Sequence, residues 1–216
     1  MNPDNPVVRL CSQGMRAEAE GRDAKARTLF QQAWESAEDD YEACVAAHYL
    51  ARHQPNAQET LHWNRECLER ADRVGDERVE GFYASLHLNM ARAHRDLGSP
   101  GQAREHFVAA AARLRDLPAG QYAEWIRLSV AEGLRSTGGL PPHPAGDLLT
   151  GLLNRLCELR DLRSLALVLL PCLGDLGTPD DRLRLSTALH MLHASRTLPD
   201  PEQEILSQAI AASTAP

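Results

Sequence analysis

The sequence predicts an all-α protein: helical hairpins in series, followed by a helical C-terminal extension. Three observations predict it. Apolar residues recur at three- and four-residue spacing along most of the chain, and no stretch alternates as a half-buried strand does. Ala, Leu, Arg and Glu dominate while aromatic residues make up only 5% of the 216, a composition that favours helix. One small-large-small stripe appears twice, as Ala26, Phe30, Ala33 and as Ala103, Phe107, Ala110, each time on the helix that follows a glycine break (Gly21, Gly98).

In chain order, Asn5 caps a helix whose first residue is Pro6, and Leu10, Gly14 and Ala17 carry it to a stop at Gly21. Its partner carries Ala26, Phe30 and Ala33. A second pair spans 41–75, with Cys44, Ala51 and Pro55 in its first half and Thr60, Asn64 and Cys67 in its second, Trp63 beside Asn64. The clearest pair lies in 76–117. Ala84, Leu88, Ala91 and Leu97 run along its first helix, with His87 and His94 seven apart on a neighbouring line. Gly98 ends that helix because the left-handed conformation costs glycine nothing. Ser99 is expected to cap the next one, with Pro100 at its first position and Gln102 completing a capping box. A fourth first-helix occupies 120–140 and ends at Gly138.

GGLPPHPAGD then interrupts all helix, since three prolines and three glycines in ten residues cannot continue one. It is either a loop in a distorted fourth hairpin or the joint to the extension at 141–216. Four more helices follow. Thr178-Pro179-Asp180-Asp181 and Asp200-Pro201-Glu202-Gln203 are helix starts. Leu165 to Leu170 is apolar all round, so its helix is expected between neighbours or at a subunit contact. Expected domains are thus the hairpins within 1–140 and an extension, 141–216, packed on the last of them.

The hairpins are in phase. With Val7 and Ala84 as position 1, Gly14 and Ala91 fall at position 8, Gly21 and Gly98 at 15, Ala26 and Ala103 at 20, Phe30 and Phe107 at 24. Starts at 7, 41, 84 and 124 are separated by 34, 43 and 40 residues. In residues 6–140 the chain resembles the tetratricopeptide repeat (TPR) family, helical hairpins of about 34 residues stacked into a right-handed superhelix. The resemblance implies a concave groove lined by the first helix of each hairpin, at positions 2, 5, 6, 9, 12 and 13. The candidate groove residues are then Glu42, Tyr49, Arg52 and His53, next Asn89, Arg92 and Arg95, and last Trp125 and Arg135. Arginine stands at position 12 in three successive copies (Arg52, Arg95, Arg135), and Asn89 falls where many family members place an asparagine that pairs with ligand backbone. Planar guanidinium forks suit carboxylates, so the expected ligand is a peptide or protein segment of acidic character bound along an arginine ladder. The bland reading is that these arginines are solvated and paired to nearby glutamates.

Other classes are less well served. A net charge of −7 argues against general nucleic-acid affinity. The most apolar run is too short to span a membrane, and the start has no basic and long apolar signal region. Five cysteines without a CxxC pair point to reduced, largely buried thiols in the cytoplasm. His48, His53 and His62 crowd one hairpin, and His190 and His193 are three apart, but no metal-ligand spacing such as HExxH is present, so neither metal nor cofactor is expected. His87 and His94 are expected inside the hairpin. Trp63, Tyr83 and Trp125 either line a ligand site or, more simply, fill the interior. No GxSxG, phosphate loop or dinucleotide fingerprint is present. The favoured function is a non-enzymatic interaction module. The alternative is a small-molecule or enzymatic site in the groove using His48, His53 or Glu42, and the C-terminal helices are the candidate surface for a homodimer.

Overall fold

The computed structural model describes residues 5–214, which form eleven α-helices, two short 3-10 turns and their connections, with no strand among them. Residues 1–4, the beginning of the start region read above, and residues 215–216 lie outside the described range. The chain divides into two compact units, Met1–Ile126 and Arg127–Pro216. That division falls inside a helix, ahead of the proline-rich loop at which the sequence places its boundary.

The first unit contains α1 (Pro6–Ala19), α2 (Asp23–Glu35), α3 (Asp40–Leu50), α4 (Ala57–Val74), α5 (Glu77–Asp96), α6 (Pro100–Ala112) and the start of α7 (Gln121–Ser136). From α1 to α6 each helix packs on the next, and α1 also touches α3. Local chemistry sets the breaks. The Asn5 side chain accepts from the amides of Val7 and Val8, and Asp39, Asn56 and Asp76 cap α3, α4 and α5 in the same way. Gly21 and Gly98 hold φ of 70° and 72°, where a side chain would be strained. Ser99 precedes α6 with Pro100 at its start, but the serine side chain makes no cap bond. The capping box expected there is absent because Ser99 leaves the extended region that aims a cap (φ −112°, ψ 69°).

Packing follows the repeated stripe. Phe30 and Phe107 are fully buried, as are Ala26, Ala33, Ala103 and Ala110. A Cβ on Gly14 would come within 2.3 Å of the Phe30 ring, so α1 approaches α2 at the one residue without a side chain. In the second pair Asn64, in place of the phenylalanine, and Cys67 are completely buried, while Thr60, in place of the first alanine, is half-buried. Asn64 donates to the Thr60 carbonyl at 2.7 Å while its Oδ1 has no partner. A buried amide there gives up the packing a phenylalanine supplies, and the Trp34 and Trp63 rings, edge to face at 5.1 Å, compensate.

The second unit contains the rest of α7, then α8 (Gly146–Glu158), α9 (Leu162–Leu173), α10 (Pro179–Ser195) and α11 (Asp200–Thr214). The four expected C-terminal helices are these. Each packs on the next, and α11 returns to α8, closing a ring around Leu149, Leu152, Leu156, Val168, Leu185, Leu189, Leu192 and Leu206. Two buried carboxylates tie it. Asp181 accepts from Arg127 at 2.7 Å, from Thr178 Oγ1 at 2.6 Å and from the Leu176 amide at 3.2 Å. Glu202, 2% exposed, accepts from Arg155 at 3.0 Å. The apolar helix α9 is not enclosed: only Ser164 and Val168 are buried on it.

Candidate functional site

The expected groove residues fall into three groups. The first surrounds Tyr49 near the end of α3. Its ring stacks on Phe30 with centroids 5.2 Å apart, and the Arg52 guanidinium lies 5.0 Å above it. Arg52 donates to Glu18 at 2.6 Å, and His53 sits 5.3 Å from Phe30 with Nε2 3.5 Å from the same carboxylate, a contact without hydrogen-bond alignment that leaves this nitrogen unsatisfied. Arg52 and His53 belong to a 3-10 turn (Ala51–His53) rather than to α3. That turn shifts their directions away from the α-helical register on which the ladder depends.

The second group is on α5 and α7. Asn89 and Arg92, both half-buried, stand three apart on α5, and Arg95 is exposed one turn further. The Arg92 guanidinium lies 5.2 Å above the Trp125 ring. Trp125 and Tyr122, each about half exposed, are near-parallel with centroids 6.3 Å apart. Both rings belong to the first unit. A guanidinium over indole supplies cation–π attraction as well as charge, and it keeps the fork flat beside the ring.

Arg135 forms the third, and here the expectation is corrected. It lies in the second unit and donates to the carbonyls of Leu173 (2.7 Å), Cys172 (3.2 Å) and Asp175 (3.1 Å). The last carbonyls of α9 have no helical donor, and the guanidinium fork satisfies them. The three-step arginine ladder does not hold: all three side chains are exposed, but Arg52 is committed to Glu18 and Arg135 closes a helix end.

Glu42, the carboxylate named as an alternative to His48 and His53, lies in the first turn of α3. It accepts from Asn5 Nδ2 and, at 2.9 Å, from the Glu38 amide, in a cleft of about 270 Å³ lined also by Val7, Val8, Tyr41, Val45 and Arg78. His48 lies between Tyr49 and Phe82, with ring centroids at 5.5 and 5.1 Å. Burial pushes it down to about 4, and its Nδ1 has no partner. A base held neutral among hydrocarbon, with no carboxylate to orient it, lacks the second member that acid–base chemistry needs. Trp63 and Tyr83 are likewise packing residues: Tyr83 is buried and donates to Asp72 at 2.9 Å.

His106 of α6 is the residue that sequence reasoning missed. His87 and His94 face it, as expected of interior positions. The His87 and His106 Nδ1 atoms are 3.1 Å apart and share one hydrogen bond, while His94 stacks on His106 at 5.3 Å and 13°. Burial, and then the two neighbouring imidazoles, pushes His106 down to about 4; burial also lowers His87 and His94. Two histidines one heptad apart on one helix of a hairpin signal a search of the facing helix, where His106 precedes Phe107. Among the described residues no three His, Cys, Asp or Glu side chains are placed to hold a metal ion.

Of the cysteines, expected to be largely buried, Cys11, Cys44 and Cys67 are buried, Cys172 is half-buried and Cys157 is exposed. All five are free thiols, and the Cys44 and Cys67 sulfurs lie 3.6 Å apart. No described helix is long and apolar enough to cross a membrane. Compared with protein-family models, with curated proteins and with solved structures, the chain shows no match.

Proposed function

We propose that the first unit is a TPR-like α-α superhelix and a non-enzymatic interaction module. It takes an extended peptide or protein segment, acidic in character, across the side chains of α5 and the first turn of α7. The observation that carries this reading is the group Asn89, Arg92, Trp125 and Tyr122: an amide, a guanidinium and two half-exposed aromatic rings on neighbouring elements. Such a set offers backbone hydrogen bonding, carboxylate recognition and apolar contact together, as extended ligands require. The in-phase hairpins support the family resemblance, and the exposed Arg95 adds positive charge one turn along. Unpaired cysteines fit a cytoplasmic setting, and the net charge of −7 fits neither nucleic acid nor an anionic lipid surface as partner.

The reading is tested by selecting a displayed random-peptide library against the full chain and against Arg92→Ala/Trp125→Ala. The expected result is enrichment of sequences with Asp and Glu by the parent chain, lost on the double variant and weakened by added salt. Equal enrichment by both proteins, or none by either, contradicts it.

A further inference from the structure

α9 is the most apolar helix of the chain, yet its outward side is uncovered. Leu162 is 74% exposed, Leu170 40% and Leu173 43%, and Ala166 is exposed between them. At 100° per residue these four share one narrow arc, opposite the buried Ser164 and Val168. Leu162, Ala166, the half-buried Leu169 and Leu173 follow one another at steps of four, three and four, the spacing of a helix–helix seam. Arg163 is the one charged side chain of the helix and stands at the margin of the stripe, near its start. A continuous apolar stripe without a charge along its centre marks a contact surface rather than a solvated face.

We propose that a second copy of this chain covers the stripe, the two α9 helices packing antiparallel about a two-fold axis. The spacing of the stripe, four, three and four, is symmetric about its midpoint, and its two central residues differ in size. In the antiparallel register Leu162 meets Leu173 of the second copy and Ala166 meets Leu169, each twice, so large side chains face small ones at the centre and leucines close both ends. Self-matching of this kind is what a two-fold contact demands and what a foreign partner does not. Charge fixes the orientation. A parallel pair would set the two Arg163 side chains against each other, whereas the antiparallel pair places them at opposite ends of a helix about 18 Å long. One 12-residue helix offers less than the roughly 800 Å² per partner of a standard interface, a size found among weak, reversible contacts.

Sedimentation equilibrium of the full chain between about 1 and 300 µM tests this, a range that spans a micromolar dissociation constant. The average mass is expected to rise from 23.8 kDa towards twice that value, and Leu162→Glu and Ala166→Glu each to hold it at the lower figure with unchanged helical circular dichroism. A constant 23.8 kDa over the whole range overturns the proposal, as does a dimer that both variants leave intact. Disulfide trapping reads the orientation. On a Cys157→Ser background, Leu162→Cys mixed with Leu173→Cys should give mainly the mixed covalent dimer; mainly like-with-like dimers would overturn the antiparallel arrangement.

Discussion

Along residues 5–112 each helix leans on the next, and nothing brings α6 back to α1; along residues 146–214 the last helix returns to the first. The chemistry of the two interiors differs accordingly. The first is lined by alanine at close helix contacts, with one phenylalanine per well-formed pair, while the second is filled by leucine and tied by Asp181–Arg127 and Glu202–Arg155. An open series repeats a local rule, small-large-small after a glycine stop, and so leaves a period in the sequence. A closed ring satisfies its helices through contacts distant in sequence, and no period results.

The comparison can be broken where each interior is most concentrated. Phe30→Ala and Phe107→Ala should each cost about 3–5 kcal/mol, since each removes a fully buried ring from between alanines that cannot move in to fill the space. Equal costs would support equivalent positions, and denaturant titration of the full chain reads them. In the second unit, Asp181→Ala leaves Arg127, Thr178 and the Leu176 amide without their shared acceptor; the expected loss is about 3 kcal/mol. Hydrogen exchange should register it in α10 and in the 174–178 turn.

Acid sharpens the contrast. The histidines that burial lowers, His48, His87, His94 and His106, all belong to the first unit. Their unfolded forms take up protons near pH 6.5 while the folded His48 and His106 resist to about 4, so the unfolded state binds more protons in between. Stability of the first unit should be complete above pH 6.5 and fall as pH drops towards 4. The loss is on the order of 1–3 kcal/mol in total once partial exposure is discounted. His106→Gln should flatten that slope, measured as melting temperature against pH; a slope unchanged by the variant would contradict the role given to the trio.

The smallest effect concerns turn chemistry. Two arginines, Arg160 after α8 and Arg196 after α10, hold φ of 56° and 51°, where the first unit uses glycine. Arg160→Gly is expected to raise stability by about 0.5–1 kcal/mol, the relief of left-handed strain less the entropy glycine adds to the unfolded chain. A calorimetric melting temperature that falls instead would show the arginine side chain contributing more than its backbone costs.

How much was legible follows from the same division. The all-helical fold, the caps at Asn5 and Thr178, the glycine stops and the burial of Phe30 and Phe107 are local properties, and they were readable. In the second pair the inward positions of Asn64 and Cys67 were readable too, whereas Thr60 is only half-buried. What failed was long-range. The roles of Arg52 and Arg135 depend on Glu18, a neighbouring helix away, and on the carbonyl end of α9, 37 to 40 residues on. A recurring arginine at one repeat position says nothing of what each one meets. The capping box at Ser99 failed for a different reason: residue types permit a cap, but backbone angles decide whether it forms. His106 escaped because its partners lie on the other helix of the hairpin. Closure of α11 on α8 has no local signature.

Residue-level native-state hydrogen exchange on the full chain tests most directly the claim that one unit is an open series and the other a closed ring. The first should show a gradient, with opening free energies highest in α3–α5 and falling towards α1, because each pair is held only by its neighbours. In the second, α8 to α11 should open with one common free energy, since releasing any helix breaks the ring. A single uniform free energy across residues 5–112, or a stepwise gradient from α8 to α11, would contradict the account.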